Sequence, residues 1–427
     1  MNAPELKTKM MKLWKSIFHD SDAYISLVFD NYFDPEFVEY YEEGGKLVSA
    51  LMGVPYYFGN DRQRTKAIYL CGLATLEEFR HRGIMNDLLN KANSKAKEKG
   101  YSLSFLIPAT DMLRIYYSSK GYVNGMYSVE DRYTSVHDFA NDYRVILSGE
   151  DERINKLKTK YFEGLKVERL DNKDADGLKR ALEYIVESES DNLHYFVLQH
   201  SSKDLEAAIE ENAISGGAVF SCHNDDGKIT GIAFVVPDGY GKIRIPKIYH
   251  KDNCTYYRLL DEIKKSYPDS SMGVVCYPEE TDRKALWSKV YGASNPDASL
   301  GAGAYGVAER VFDVAQHAKP YGMVKILDVH EILKFLAADR IDCKFSILVK
   351  DVDSGMSAVK FDVDGGKVKF QEIDADRVDE FSFKPGVTVL SLQGLAEILF
   401  RKIDSSNVIM EAFGIPRLSL NMSLLLD

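Results

Sequence analysis

The N-terminal region alternates between helical and strand-like patterns of apolar positions. Between residues 3 and 18, apolar side chains recur every three or four positions, which predicts an amphipathic helix. Its apolar side consists of Leu6, Met10, Leu13, Trp14 and Ile17. The polar sequence at residues 20–22 supplies a helix cap and predicts a second helix after it. Apolar and aromatic runs at 37–41 and 47–57 flank a Gly-Gly pair, so they predict two strands joined by a tight turn.

A longer apolar run then leads through an acidic turn into a helix. Residues 68–73 have strand character, and the segment Arg80-His81-Arg82-Gly83 precedes apolar positions spaced four apart. These positions are Ile84, Leu88, Ala92 and Ala96, on one face of a helix that ends near Gly100. A strand, a loop with glycine and a helix N-terminus together form an anion cradle of free backbone N–H groups and a positive helix dipole. An ordinary turn with a solvated basic cluster is the alternative.

A short helix carries the second chemical signal. An apolar strand at 103–107 precedes a helix that is capped at 108–111 and runs to residue 118. Tyr117 stands five residues before Tyr122, with Gly121 between them. A phenol with a pKa of about 10 keeps its proton at neutral pH, so Tyr117 is a candidate proton donor. A tyrosine that only packs is the alternative, since the chain has 26 tyrosines.

Beyond this helix, strand-like segments continue to about residue 147, and residues 160–310 then repeat the order of elements weakly. We predict strands at 243–245 and 273–277, a helix at 256–265, a helix cap at 278–281 and a helix through 287–291. The loop that corresponds to the Gly83 loop reads Tyr249-His250-Lys251-Asp252-Asn253 and has no glycine to let an anion approach. We therefore predict a second, similar domain that has lost this site.

The last part of the chain has a different pattern. It predicts strands at 323–327, 344–349, 358–363, 368–371, 381–383 and 387–390, with helices at 329–336 and 392–400. This is an α+β layer of sheet and helices. The overall fold class is therefore α+β, and we predict three domains, at residues 1–150, 151–312 and 313–427.

Composition and charge narrow the function classes. The 427 residues carry a formal net charge of -11, which argues against nucleic acid as a partner and favours a cationic one. The five cysteines form no CxxC pair and the nine histidines no HExxH motif, so we predict reduced, buried thiols and no metal site. Lysines interrupt the N-terminal apolar pattern and no apolar run approaches a membrane span. We expect no membrane association and a cytoplasmic location.

The strand, the Arg80-x-x-Gly83 loop and the helix are similar to the acyl-CoA-binding motif of the GNAT acetyltransferase superfamily. In that superfamily the loop amides hold the CoA pyrophosphate, and a tyrosine spaced like Tyr117 protonates the departing CoA thiolate. Met85 departs from the usual Gly or Ala, but the enhanced intracellular survival (Eis) branch tolerates large apolar residues there. Tandem GNAT-like domains, each a mixed sheet flanked by helices, followed by a sterol-carrier-like α+β domain, resemble the Eis family, whose members assemble into hexamers.

The resemblance implies acetyl-CoA as co-substrate, with the acetyl group against the backbone of residues 73–75 and the pyrophosphate at the loop amides. The cofactor-binding residues that it implies are Leu73, Ala74, Thr75, Arg80, His81, Arg82, Gly83, Ile84, Met85, Asn86, Met112 and Leu113. The family places its chain terminus in the active site, where the α-carboxylate is the general base. Asp427 is therefore the implied base and Tyr117 the general acid.

Asp427 departs from the family's usual aromatic terminus and offers a second carboxylate. A carboxylate with a pKa of about 4 is a weak base for an ammonium group. Its pKa must be raised by burial, or it must act through water or hold the cation in place. A tail that only packs is the alternative.

The resemblance implies an N-acetyltransferase that transfers acetyl from acetyl-CoA to a primary amine by direct attack. The amine would be aminoglycoside-, polyamine- or lysine-like, and a homo-oligomer, by resemblance a hexamer, is plausible. No Cys–His or Ser–His pairing points to a covalent intermediate. A non-catalytic acyl-CoA-binding or scaffold protein that retains the fold is the alternative.

Overall fold

The computed structural model describes most of the chain, apart from short gaps and three longer ones. The described residues are 2–60, 62–148, 150–171, 174–190, 196–278, 318–350, 357–374, 377–378, 380, 386–402 and 415–423. The helix predicted at 287–291, the strand at 381–383 and Asp427 lie outside these residues, as does most of the cap predicted at 278–281.

The first region contains the elements that its apolar pattern predicts. They are α1 Ala3–Phe18, α2 Asp22–Tyr32, β1 Val38–Glu43, β2 Lys46–Gly59, β3 Arg64–Thr75, α3 Ile84–Glu98, β4 Leu103–Leu106, α4 Asp111–Ser118 and β5 Val123–Tyr133. The side chains of Ser21 and Thr110 accept hydrogen bonds from the first turns of α2 and α4, which explains where these helices begin.

The second region begins with two helices. Its elements are α5 Phe139–Leu147, α6 Glu152–Gly164, β6 Lys166–Arg169, α7 Ala175–Ser190, β7 Phe196–Gln199, α8 Ser202–Ile214, β8 Ala218–His223, β9 Ile229–Pro237, β10 Lys242–His250, α9 Asn253–Ser266 and β11 Ser271–Cys276. The expectation of strands up to residue 147 is wrong for its last part, because Asp138 caps α5 through Asn141 N–H and its buried side chains recur at helical spacing.

The remaining described elements are β12 Lys319–Ile326, α10 Val329–Asp339, β13 Lys344–Lys350, β14 Ser357–Asp364, β15 Lys367–Asp374, β16 Val387–Ser391, α11 Leu392–Leu399 and β17 Leu420–Asn421. Four of these strands form a separate sheet in the order β15-β14-β13-β16. The other thirteen described strands of the chain belong to one sheet.

The large sheet joins the two halves of the chain through one long strand. Its order is β17-β7-β2-β3-β4-β12-β5-β11-β10-β9-β8-β6, with β1 paired to β2. The first part of β5 pairs with β12, and its second part pairs with β11. Strands β7 and β12 come from beyond residue 150 and yet complete the sheet around β2 to β5. The domain limits 1–150, 151–312 and 313–427 stay a prediction, but these pairings cross them.

The two faces of this sheet have separate cores in the first region. On one face α1 and α2 cover Tyr69 and Phe105, and on the other α3 and α4 cover Leu70 and Leu106. Neighbouring residues of β3 and β4 thus point to opposite faces, as a pleated strand requires. The two faces are called the α1–α2 face and the α3–α4 face below.

Candidate active site

Strands β3 and β4 separate at the centre of the sheet. They run parallel and pair only from Ala67–Leu103 to Tyr69–Phe105. Beyond Tyr69, β3 continues to Thr75 beside β2 alone, so its other edge faces an opening between the strands. Leu73, Ala74 and Thr75 lie on this stretch, which pairs with β2 and leaves its other edge open. The resemblance places the acetyl group here.

A bulge marks the start of that stretch. The register between β2 and β3 shifts between Ala50 and Met52, opposite Gly72. Gly72 has a φ of 59°, and a Cβ there would lie 2.3 Å from the ring of Trp14. Only glycine fits both the left-handed backbone and the packing of α1 against it. The Ser49 hydroxyl on β2 contacts the Thr75 hydroxyl at 2.9 Å and bonds to the Ala74 carbonyl at 3.1 Å, which anchors the far side of β3.

The predicted cradle is open at the N-terminus of α3. Gly83 is the N-cap residue with a φ of 81°, and among the described residues no side chain caps this helix. A Cβ built on Gly83 would meet no atom within 4 Å. The first N–H groups of α3, at Ile84, Met85 and Asn86, therefore border open space with the positive end of the helix dipole. His81 also has a positive φ, 63°, a conformation that costs a non-glycine residue about 1–3 kcal/mol.

The two arginines of the loop brace its backbone. Arg80 Nε donates to the Thr75 carbonyl at 3.2 Å, and an Arg82 guanidinium nitrogen donates to the Glu78 carbonyl at 3.1 Å. Arg82 also lies 3.6 Å from a carboxylate oxygen of Glu43. Arg80 thus holds the loop against β3, Arg82 braces the loop itself and lies near β1, and both side chains stay exposed.

The corresponding helix of the second region begins differently. Asp252 is the N-cap residue of α9, and its carboxylate accepts a hydrogen bond from Thr255 N–H at 2.8 Å. A negative charge thus stands at the N-terminus of α9, where α3 has a bare glycine. The Asp252 carboxylate therefore already occupies the anion position at the N-terminus of α9.

Tyr117 lies in the same apolar cluster as the cradle. The cluster also contains Leu70 and Leu88, and Leu73, Ile84 and Met85 pack against it. Tyr117 is 6% exposed, and within the described residues no hydrogen bond engages its hydroxyl group. Burial raises its pKa well above 10, so the hydroxyl keeps its proton at neutral pH. The structure therefore brings the predicted acid together with three of the predicted cofactor residues.

Two further side chains, those of Tyr122 and Arg114, hold the α4 segment in place. The Tyr122 hydroxyl bonds to Ser104 on β4 at 2.7 Å and to Asn93 on α3 at 3.1 Å, so it links three elements below Tyr117. Arg114 on α4 donates to the Asn124 side chain at 3.0 Å and to the Pro320 carbonyl at 3.2 Å.

Met112 and Leu113 lie on the outer side of α4. Met112 is 78% exposed and Leu113 38% exposed. The structure does not pack them with the Tyr117 cluster, so any contact with a cofactor would have to form along the exposed surface of α4.

The C-terminal tail, defined here as residues 415–423, is buried. Leu420 and Asn421 pair with Phe196 and Val197 of β7, and Leu418, Leu420 and Met422 are each at most 3% exposed. Asp427 lies four residues beyond Ser423, outside the described residues. An extended chain of that length spans at most about 14 Å.

The α1–α2 face has a cavity of about 750 Å³ that the sequence did not predict. Its lining includes Tyr32, Tyr56, Glu189, His200 and Asp204, which come from α2, β2, α7, the end of β7 and α8. The Tyr32 hydroxyl lies beside Tyr56 and Asp204, and burial raises its pKa. No spacing along the chain signals these residues, because only the fold brings them together.

Two other acids near α2 are unsuited to act as bases. Asp30 is paired with Lys7 at 2.7 Å and Glu36 with Lys99 at 2.5 Å, both at the surface. The hydrogen bond from Lys99 lowers the pKa of Glu36, which weakens it further as a base.

Within the described ranges, no group of three His, Cys, Asp or Glu side chains is arranged to hold a metal ion. None of the described helices has the length and apolar character that crossing a membrane requires.

Comparisons with known proteins agree with the geometry of the first region. Residues 4–124 match the sequence model of a family described as an acetyltransferase (GNAT) domain, which supports an N-acyltransferase. This segment includes α3 with its cradle, and Tyr117. None of the curated proteins matches the sequence.

Solved structures resemble nearly the whole chain. A protein from Enterococcus faecalis V583, described as a probable N-acyltransferase, has a TM-score of 0.64 at 11% identity, with 98% of this chain and 96% of that chain covered. A GCN5-related N-acetyltransferase from Kribbella flavida has a TM-score of 0.62 at 13% identity, with 100% and 96% covered. Eis1 from Mycobacterium abscessus has a TM-score of 0.59 at 12% identity, with 93% and 87% covered. At these identities the likeness shows a shared α+β fold.

Proposed function

We propose that this chain is an acetyl-CoA-dependent N-acetyltransferase of the Eis-like type that acts on a primary amine. The observation that carries the proposal is the open N-terminus of α3 at Gly83, beside a buried Tyr117 and within the segment that matches the acetyltransferase domain. Open N–H groups at a helix N-terminus suit a pyrophosphate, and the apolar cluster next to them contains a proton donor.

The proposed domains are those of the sequence analysis. Residues 1–150 form the catalytic GNAT domain, residues 151–312 a second GNAT-like domain without a cofactor site, and residues 313–427 a sterol-carrier-like domain. The Asp252 carboxylate at the N-terminus of α9 supports the loss of the second site, because it would repel a pyrophosphate there. Assembly into a homo-oligomer, by resemblance a hexamer, is part of the proposal, as is a cytoplasmic location.

Transfer would occur in the opening between β3 and β4. The backbone of residues 73–75 would hold the acetyl group, and Arg80, His81 and Arg82 would lie beside the pyrophosphate at the cradle, with Asn86 in the first turn of α3. The amine nitrogen attacks the thioester carbonyl, and the C–S bond breaks as the new C–N bond forms. Tyr117 donates its hydroxyl proton to the departing thiolate, and the proton that the nitrogen loses as the amide forms restores the hydroxyl. The raised pKa of Tyr117 keeps its hydroxyl protonated before the step.

The amine would reach the opening from the α1–α2 face. The 750 Å³ cavity lies on that face, and its lining contains three acids, Asp34, Glu189 and Asp204, beside the basic Arg64 and Lys203. The formal net charge of -11 of the chain supports a cationic acceptor. An ammonium group must lose a proton before it attacks, and Asp427 is the proposed base, aided by the burial of the tail that leads to it. Met112 and Leu113 would contact the cofactor from the outer side of α4.

The test is an assay of the untagged protein with acetyl-CoA and a panel of polyamines, aminoglycosides and lysine peptides. Release of free thiol with acetylation of at least one amine supports the proposal. Tight binding of CoA without thiol release on any acceptor would instead support an acyl-CoA-binding scaffold.

A further inference from the structure

Five buried polar side chains meet where the described tail ends. They are called the tail cluster here: Glu189 at the end of α7, His200 after β7, Tyr249 on β10, Tyr277 after β11, and Ser423. Each of these residues is at most 8% exposed. Four of them come from the second region, so the cluster connects that region to the tail.

An ion pair lies at the centre of the cluster. Glu189 accepts three hydrogen bonds: from the His200 imidazole at 2.8 Å, from His200 N–H at 3.0 Å and from the Tyr249 hydroxyl at 2.7 Å. Burial disfavours a charged imidazole, but the adjacent Glu189 carboxylate outweighs it, so the pKa of His200 is raised. The carboxylate thus favours the protonated form of the imidazole next to it.

The pair lies directly beside the tail. Strands β17 and β7 pair in parallel. His200 follows the end of β7, and Ser423 follows the end of β17. The Tyr277 hydroxyl donates to the Ser423 hydroxyl at 3.1 Å. The other imidazole nitrogen of His200, Nε2, has no hydrogen-bond partner in the described part of the chain, and the Ser423 backbone lies close enough to favour the charged ring.

Packing alone does not account for these groups. A buried charged pair stabilises a fold little more than apolar side chains of equal size, and often less. Such a pair can instead fix a single arrangement of the segments around it. Among the described residues, the strand pairing of this segment with the sheet covers Leu420 and Asn421, and Phe196 N–H also donates to the Ser419 carbonyl at 3.0 Å.

We infer that the Glu189–His200 pair positions the C-terminal tail. This deepens the proposed function and rests on it as far as catalysis is concerned, because the tail leads to Asp427. His200 contacts the tail and not the reacting atoms, so it is a positioning residue. Asp427 lies four residues beyond Ser423 and can reach at most about 14 Å from it, so the position of Ser423 limits where Asp427 can lie.

The test compares His200→Gln with His137→Gln. His137 forms another buried pair, with Asp142 at 2.7 Å, and packs against Tyr133 and Phe139, away from the tail. Both variants remove one buried imidazole, and only one of them touches the tail cluster. The first measurement is the rate at which a carboxypeptidase removes C-terminal residues from the folded protein, followed by intact mass.

We expect digestion to be at least about tenfold faster in His200→Gln, since a hydrogen bond to a charged group is lost, and unchanged in His137→Gln. Ser423→Ala, which loses the bond from Tyr277, should shift in the same direction. Equal digestion rates in wild type, His200→Gln and Ser423→Ala would overturn the inference. If His200→Gln does not fold, Tyr277→Phe takes its place, because it removes the hydrogen bond to Ser423 and no charge. Digestion of Tyr277→Phe at the wild-type rate would also overturn the inference.

Steady-state kinetics separate this inference from the proposed function. His200→Gln should lower kcat and leave the KM for acetyl-CoA unchanged, and it should lower kcat no further in a protein that lacks Asp427. Faster digestion with an unchanged kcat would support positioning of the tail and refute the role proposed for Asp427. Faster digestion in a protein with no transferase activity would support the inference and refute the proposed function.

Discussion

At the scale of single residues, the N-termini of α3 and α9 differ in the residue at the N-cap. Gly83 leaves α3 uncapped, and Asp252 places a carboxylate on α9. Both helices present first-turn N–H groups and the positive end of the helix dipole. At α9 the Asp252 carboxylate repels an anionic ligand, whereas Gly83 brings no charge to α3. Under the proposed function, the N-cap residue is what permits a pyrophosphate at α3 and opposes one at α9.

Gly83→Asp should give α3 the same type of N-terminus as α9. The new carboxylate would cap α3 and repel the pyrophosphate, so we expect CoA affinity to fall at least about tenfold. Isothermal titration with CoA measures this. Gly100→Asp is the matched control, because Gly100 has a φ of 79° and equally open surroundings at the other end of the same helix. Equal losses in the two variants would attribute the effect to backbone strain and remove the basis of the cradle.

Tyr117→Phe should lower kcat by about a hundredfold and leave CoA binding unchanged, because only the proton donor is lost. The buried ring keeps its packing, so the melting temperature should stay close to that of the wild type. Tyr116→Phe is the control, since its ring lies 5.3 Å from that of Tyr117. A Tyr117→Phe enzyme as fast as the wild type would assign Tyr117 to packing alone.

At the scale of elements, the bulge of β3 depends on one close contact. Gly72→Ala introduces both a left-handed alanine and a clash with Trp14, so we expect the free energy of unfolding to fall by about 2–4 kcal/mol. Gly45→Ala, in an open turn with a φ of 80°, should cost only the strain, about 1–2 kcal/mol. Urea denaturation of both variants gives the difference. Equal losses would mean that α1 shifts easily and does not hold the bulge.

The local elements of the first region could be predicted from the sequence because their signals are local. Caps at Ser21 and Thr110, the turn around residues 44–45 and the apolar face of α3 each define one element. The helix α5 was missed because its aromatic and β-branched residues also suit a strand. The four leading cradle residues, Arg80 to Gly83, were recognisable because they follow one another in the chain.

The rest depends on pairings between distant segments, which no local pattern encodes. The insertion of β12 beside β4 and the pairing of β7 with β2 join residues far apart in sequence. The Glu189–His200 pair was missed for the same reason: its residues lie eleven positions apart on separate elements and show no periodic signal. Polar residues that a fold gathers from several segments become visible only in three dimensions.

At the scale of the whole molecule, the tail adds its short strand β17 to the edge of the large sheet, beside β7. The tail is buried up to Ser423 and Asp427 is the proposed base, so we expect a C-terminal tag to lower kcat about tenfold or more and to spare CoA affinity. A tag at the N-terminus, next to the exposed Asn2, is the control and should leave kcat unchanged. A C-terminally tagged enzyme as fast as the untagged one would show that the tail only packs.

The position of β12 also governs when the protein can finish folding during its synthesis. Strands β4 and β5 leave the ribosome early, but the strand that fills the gap between them ends at Ile326. At typical translation rates the interval between Tyr133 and Ile326 lasts roughly 10–40 s. During that time two apolar strand edges stay unpaired and can bind other nascent chains. We therefore expect the N-terminal region to depend on chaperones until most of the polypeptide has been made. A chain that ends before residue 319 would lack β12, and its large sheet would stay incomplete.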